Sequence, residues 1–125
     1  MSRARSNLSA DLSESDIQSQ IVEYLSLMSD SFGFMFFSVP NEGIDRANPA
    51  RLSKLKRMGF RAGVSDLVII KNGEVFFLEV KRPHGKQSAN QILFAGEAVL
   101  NDCPYEVVHS LDEAIAVLQY WLITA

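Results

Sequence analysis

The stretch GVSDLVIIKNGEVFFLEVK, residues 63–81, decides how the chain is read. Asn72-Gly73 between two apolar runs is a strong hairpin signal, because a type I′ turn needs positive φ at both central residues. Strands are expected near residues 65–70 and 75–81. A two-residue turn pairs Lys71 with Glu74, and the same ladder sets Asp66 directly opposite Glu79. Their Cβ atoms would lie roughly 4.5–5.5 Å apart on one face. Lys81, two residues beyond Glu79, projects from that face too. Both strands are otherwise apolar on both faces, from Leu67 to Ile70 and from Val75 to Leu78.

Such strands are normally central and covered. The plainer reading of the two acids, as solvated ends of frayed strands, fits poorly with that continuous apolar pattern. Facing carboxylates in a covered sheet repel each other and lose hydration. A divalent cation resolves both problems. Mg²⁺ takes oxygen ligands, usually one or two carboxylates together with waters and substrate phosphate. A lysine beside it can orient or activate a water, or stabilise charge developing at phosphorus. Metal, carboxylates and lysine together point to phosphodiester hydrolysis.

The distribution of charge agrees. The 125-residue chain has a net charge of −3, which argues against coating nucleic acid non-specifically. Yet Arg46, Arg51, Lys54, Lys56, Arg57 and Arg61 follow one another with no acid between Asp45 and Asp66. Lys81, Arg82 and Lys86, with His84 among them, form a second basic group. A local patch of this kind can hold phosphates while the rest of the surface stays acidic.

Composition is that of one globular domain, with 47% hydrophobic and 22% charged residues. No window is apolar for long enough to span a membrane, and no apolar block follows the N-terminal arginines, so a cytoplasmic protein is expected. The single Cys103 excludes an internal disulfide and a cysteine-based zinc site, and is expected to be a buried small hydrophobe.

Residues 1–12, polar and Ser-rich, are expected to form a loose arm, with one domain over 13–125. Ser13 caps a first helix near 14–29 with Asp16 at its third position. FGFMFFSVP (32–40) reads as a strand ended by Pro40, and NEGIDRAN as a loop. PARLSKLKRMG, from Pro49 to Gly59, reads as a short helix carrying most of the basic cluster. Ser88 caps a third helix over 89–100, and YEVVHS is a short strand. Ser110 and Glu113 form a capping box for a last helix whose apolar face would be Leu111, Ile115, Leu118 and Leu122. The order αβαββαβα predicts an α/β fold, a mixed central sheet flanked by helices.

These segments resemble a known family. The spaced Asp66, Glu79 and Lys81 match the core of the PD-(D/E)xK nuclease superfamily. PNEG (40–43), KLKRMGFRAGVSDLVI (54–69), FLEVKRPHGKQSANQ (77–91) and YEVVHSLDEAIAVL (105–118) resemble the virus-type replication-repair nuclease (VRR-Nuc) family, over residues 14–122. The resemblance implies a restriction-endonuclease-like fold and an Mg²⁺- or Mn²⁺-dependent endonuclease of the stand-alone phage or bacterial type, without a small-molecule cofactor. Asp66, Glu79 and the Val80 carbonyl would hold the metal, with Glu14 from the first helix approaching it and Gln18 on the same helix face. Lys81 would be the catalytic lysine, and Gln91 would position lysine, metal or water. Gln91 also reads as the partner of Ser88 in a capping box. Where the family commonly has proline before the aspartate, this chain has Ser65.

The expected DNA contacts are Asn41, Arg46, Arg51, Lys54, Arg57, Arg61, Arg82 and Lys86, with Gly43 in the same loop as Asn41. His84 is expected to be a substrate contact or plain surface, and His109 structural. By analogy with stand-alone relatives the partner is branched DNA such as four-way junctions, cut by a homodimer. Two alternatives stay open: a nuclease preferring flaps, single strands or duplex, and a non-cleaving DNA-binding protein on the same fold.

Overall fold

A computed structural model describes residues 12–40 and 48–125. Asn41, Gly43 and Arg46, and the expected arm up to residue 11, lie outside the described residues. Eight elements follow in the expected order: α1 (Glu14–Phe32), β1 (Met35–Ser38), α2 (Pro49–Arg57), β2 (Leu67–Lys71), β3 (Glu74–Val80), α3 (Ala89–Leu100), β4 (Tyr105–Val108) and α4 (Leu111–Tyr120). The four strands form one sheet in the order β1-β2-β3-β4. The β1–β2 and β2–β3 pairs are antiparallel, and β3–β4 is parallel. The long connection that parallel pairing requires contains α3. No helix among the described residues is long and apolar enough to cross a membrane.

The hairpin has the expected turn, with Asn72 at φ 51° and Gly73 at φ 82°. Lys71 pairs with Glu74 and Leu67 with Leu78. That register divides the sheet into two faces. Leu67, Ile69, Phe76, Leu78, Val80 and Val108 form one core with Ile17, Ile21 and Leu25 of α1 and with Ala114 and Leu118 of α4. Phe77 on the other face meets Phe94 of α3 edge-on, with ring centroids 4.9 Å apart, and Phe94 also meets Tyr105 at 6.0 Å. Alternation along the strands puts Asp66, Glu79 and Lys81 on this second, α3-covered face.

Two boundaries depart from the expectation. The first helix runs on to Phe32, and Gly33 closes it by donating to the Ser29 carbonyl at 2.9 Å. Residues 32–34 therefore belong to the helix end and its exit, and β1 keeps only four residues. The last helix buries only part of the expected face: Leu118 is in the core and Leu111 packs against it. It ends at Tyr120, and Leu122, at φ 61°, turns the chain so that Ile123 enters the core and Leu122 stays exposed. Ala114, not Ile115, is the buried residue beside Leu118. Its capping box is half formed. Ser110 Oγ accepts from the Glu113 N–H at 3.1 Å, but the Glu113 carboxylate turns to His109 Nδ1 at 3.2 Å. Cys103 is half-buried, not buried.

Candidate active site

Asp66 is the residue just before β2, and it extends the ladder. Its carbonyl accepts from the Val39 N–H at 2.9 Å. Its side chain crosses the hairpin end, where Oδ2 accepts from the Val80 N–H at 2.7 Å. Glu79, one residue earlier on β3, is 1% exposed and its carboxyl lies in hydrogen-bonding contact with that of Asp66. The turn geometry thus brings the two acids together as the spacing requires. Burial, the shared hydrogen bond and the charge of Asp66 push the Glu79 pKa from its usual 4.5 up to about 9, against a lowering by Lys81 and Tyr105. Glu79 therefore keeps its proton at neutral pH when no cation is bound.

Lys81 is half-buried, and its backbone N–H donates to the Val108 carbonyl at 2.9 Å. It makes no ion pair among the described residues, so its charge acts on Glu79 from beyond contact distance. Ser65, in the place of the family's common proline, is buried with its hydroxyl donating to the Leu67 carbonyl at 3.0 Å.

Two residues with no separate place in the sequence reading complete the carboxylate's surroundings. The Tyr105 hydroxyl donates to Glu79 Oε2 at 3.4 Å and accepts from Gln87 Nε2 at 3.1 Å. Burial, then the charge of Glu79, push the Tyr105 pKa upward, so the phenol stays a donor. The signal for Tyr105 is a register. Phe77 pairs with Tyr105 and Glu79 with Val107, so Tyr105 sits diagonally from Glu79 on one face. No tight turn pins a parallel pair, so the sequence could not supply that register.

Gln91 sits in the first turn of α3 and closes a complete capping box. Its Oε1 accepts from the Ser88 N–H at 2.8 Å, and its own N–H donates to Ser88 Oγ at 3.2 Å. The segment leading to Asp66 is pressed against this same turn. A Cβ on Gly63, at φ +84°, would lie 2.4 Å from the backbone carbonyl carbon and oxygen of Asn90 and 2.7 Å from the Gln91 nitrogen. Gly63→Ala combines an unfavourable φ with a clash against backbone that cannot rotate away. It is expected to destabilise the fold by about 3 kcal/mol. Chemical denaturation checks this, and an unchanged midpoint would contradict the contact.

The other expected site residues fall elsewhere. Glu14 is exposed in the first turn of α1, which packs on the opposite face of the sheet, and among the described residues no hydrogen bond or ion pair joins it to Asp66 or Glu79. Gln18 is half-buried on the same helix. Arg51, Lys54 and Arg57 are exposed on α2, capped by Asn48, whose side chain accepts from the Arg51 N–H at 2.8 Å. α2 buries no residue. Arg82 and Lys86 are exposed beyond β3. None of these five cations forms an ion pair among the described residues. Arg61 is engaged differently: its guanidinium pairs with Glu97 and lies 5.2 Å from the centre of the Phe94 ring. His84 is exposed in the turn from Arg82 to Gly85.

The donor set fits a hard cation. Among the described residues no group of three or more His, Cys, Asp or Glu side chains is placed to hold a metal. Two adjoining carboxyls, one of them buried, match an ion that takes one or two carboxylates and completes its shell with water and phosphate.

No family model and no curated protein matches the sequence. Solved structures do share its fold. One, described as a VRR_NUC domain protein, aligns with a TM-score of 0.68 at 19% identity over 90% of this chain and 91% of its own. Another, a VRR_NUC domain, gives 0.57 at 18% identity over 82% and 95%.

Proposed function

Because the chain has the restriction-endonuclease-like fold of VRR_NUC domains, we propose that it is a VRR-Nuc nuclease, a divalent-metal-dependent endonuclease acting on branched DNA in the cytoplasm. The observation that carries this reading is the Asp66–Glu79 pair at the end of the central hairpin, in which Glu79 is buried and Asp66 half-buried, with Lys81 on the same face. Asp66 and Glu79, with the Val80 carbonyl, would hold Mg²⁺ or Mn²⁺. The metal supplies Lewis-acid polarisation of the scissile phosphate and a more acidic water.

The chain's own residues do the rest. The Asp66 carboxylate is fixed by the Val80 N–H and the Glu79 carboxyl by the Tyr105 hydroxyl. Their geometry is therefore set before substrate arrives, which avoids reorganisation during the reaction. Lys81 offers a cation to the attacking water or to charge developing at phosphorus. Gln91, whose Oε1 is held in the Ser88 cap, would help to position lysine, metal or water, on the sequence resemblance. Glu14 is assigned to the metal, directly or through water, on the sequence resemblance alone. Arg51, Lys54, Arg57, Arg82 and Lys86 supply phosphate contacts without acidic neighbours to neutralise them. We assign Asn41 and Arg46 to the same DNA surface on the sequence resemblance alone, and Arg61 to a secondary place in it. A homodimer carrying two sites would suit the two-fold symmetry of a four-way junction.

The test is cleavage of labelled four-way junction, flap, duplex and single-stranded DNA with Mg²⁺ or Mn²⁺. Preferred cutting of the junction is expected. Cutting confined to another substrate would replace the substrate assignment and keep the chemistry. Junction binding with no cleavage in either metal would overturn the enzyme reading.

A further inference from the structure

α3 is polar only at Asn90, Gln91 and Glu97. It buries only Phe94 and Ala98 against the sheet. On its far side Ile92, Leu93, Val99 and Leu100 are 57%, 66%, 60% and 82% exposed. With Gly96 they fall within a single arc of roughly 120° at 3.6 residues per turn, and Gly96 lies at its centre. Glu97 is the helix's one charged residue, and Arg61 holds it. A helix with one face on a sheet normally carries polar residues on the other; one that is apolar on both sides is normally covered on both.

We propose that this face is a homodimer interface, in which α3 packs antiparallel against α3 of a second copy with Gly96 on the two-fold axis. The arrangement of the face identifies the occupant. About Gly96 the stripe is symmetric: antiparallel pairing sets Ile92 opposite Leu100 of the copy and Leu93 opposite Val99. A patch that matches its own reverse is what an isologous contact needs. Gly96 has no atom within 4 Å of its Cβ position in the single chain. A glycine in mid-helix weakens the helix, but at a crossing it allows close backbone approach.

The area is sufficient to nucleate a dimer. The four side chains expose on the order of 400 Å² of apolar surface per protomer, a large patch for a monomer. Doubled and completed by Ala89, Ala95 and Glu97 at the rim, it approaches the roughly 1,200 Å² of a small specific interface. The face offers a polyanion nothing, which separates it from the basic α2. Its antiparallel geometry would put the two α3 N-termini, each against its own Gly63–Asp66 segment, at opposite ends of the helix pair. The proposal specifies the dimer of the preceding reading, and it stands on α3 alone.

Light scattering and sedimentation equilibrium on the full chain, without DNA, test it. The expected mass is twice 13.9 kDa. Leu93→Glu and Leu100→Glu, both at exposed positions, should raise the dimer dissociation constant at least about a hundredfold, with an unchanged circular dichroism spectrum. Gly96→Cys in a Cys103→Ser background should give an intermolecular disulfide on oxidation, because the two copies of an on-axis residue meet. Asp30→Cys, exposed on α1, should not. A monomeric wild type at roughly 100 µM overturns the proposal. So does a dimer insensitive to both glutamates, or cross-linking no greater at position 96 than at position 30. Loss of nuclease activity in the separate cleavage assay would leave it untouched.

Discussion

Lys81→Ala is expected to lower the single-turnover cleavage rate at least about a thousandfold, within the range set by removal of a positioned proton-transfer or charge-stabilising group. Lys81 lies at the strand end and makes no ion pair among the described residues, so its loss leaves no buried partner behind. Thermal stability should hardly change. Glu79→Ala should reduce cleavage as strongly by a different route. It removes a carboxyl donor, and metal binding measured by calorimetry should weaken with it. Lys81→Ala should retain that binding. Cleavage at the wild-type rate in either variant would remove the residue from the site.

The second large effect is on pH. Glu79 is pushed from 4.5 to about 9 by burial first, then by its hydrogen bond to Asp66 and the charge of Asp66. Its folded value is raised, so its contribution to stability is intact below pH 4.5, where the carboxyl is protonated in both states. Above that the unfolded chain ionises Glu79 while the folded chain does not, and stability falls as pH rises toward 9. In the metal-free protein Glu79→Gln should remove this decline. Its melting temperature should exceed that of the wild type at pH 8 by on the order of 5 °C and should match it near pH 4.5. Metal binding has the opposite slope. A cation must displace the Glu79 proton, so affinity should rise about tenfold per pH unit below 9, roughly a hundredfold between pH 6.5 and 8.5. A pH-independent affinity would mean that Glu79 is ionised in the free protein.

The fold was largely legible in the sequence, and the reasons are local. Asn72-Gly73 admits essentially one tight turn, so the β2–β3 register, and with it the meeting of Asp66 and Glu79, could be counted out residue by residue. Ser13 and Ser88 mark helix starts through bonds made within four residues, and Pro49 marks one by its fixed φ. What the sequence left hidden depends on distant partners. Phe32 could as well begin a strand as end a helix until Gly33 and the Ser29 carbonyl meet. Leu122 fits the apolar spacing of α4 but falls past its last turn. Tyr105, held by Gln87, reaches Glu79 only through a parallel pairing closed by α3. Arg61 belongs to the basic run by sequence, and only the packing of Phe94 and Glu97 shows how it is engaged.

The Asn72–Gly73 turn is exposed, and exposed turns usually accept insertions and deletions freely. This one is an exception of an arithmetical kind. One residue added to either strand side of it would slide the ladder by a single step and send Asp66 and Glu79 to opposite faces of the sheet. Both carboxylates would survive in the sequence, correctly ordered and nearly correctly spaced, and no site would form. Divergence among chains built on this plan should therefore collect in length at the joints around α2 and α3, while the hairpin tip keeps its length even where its residues change.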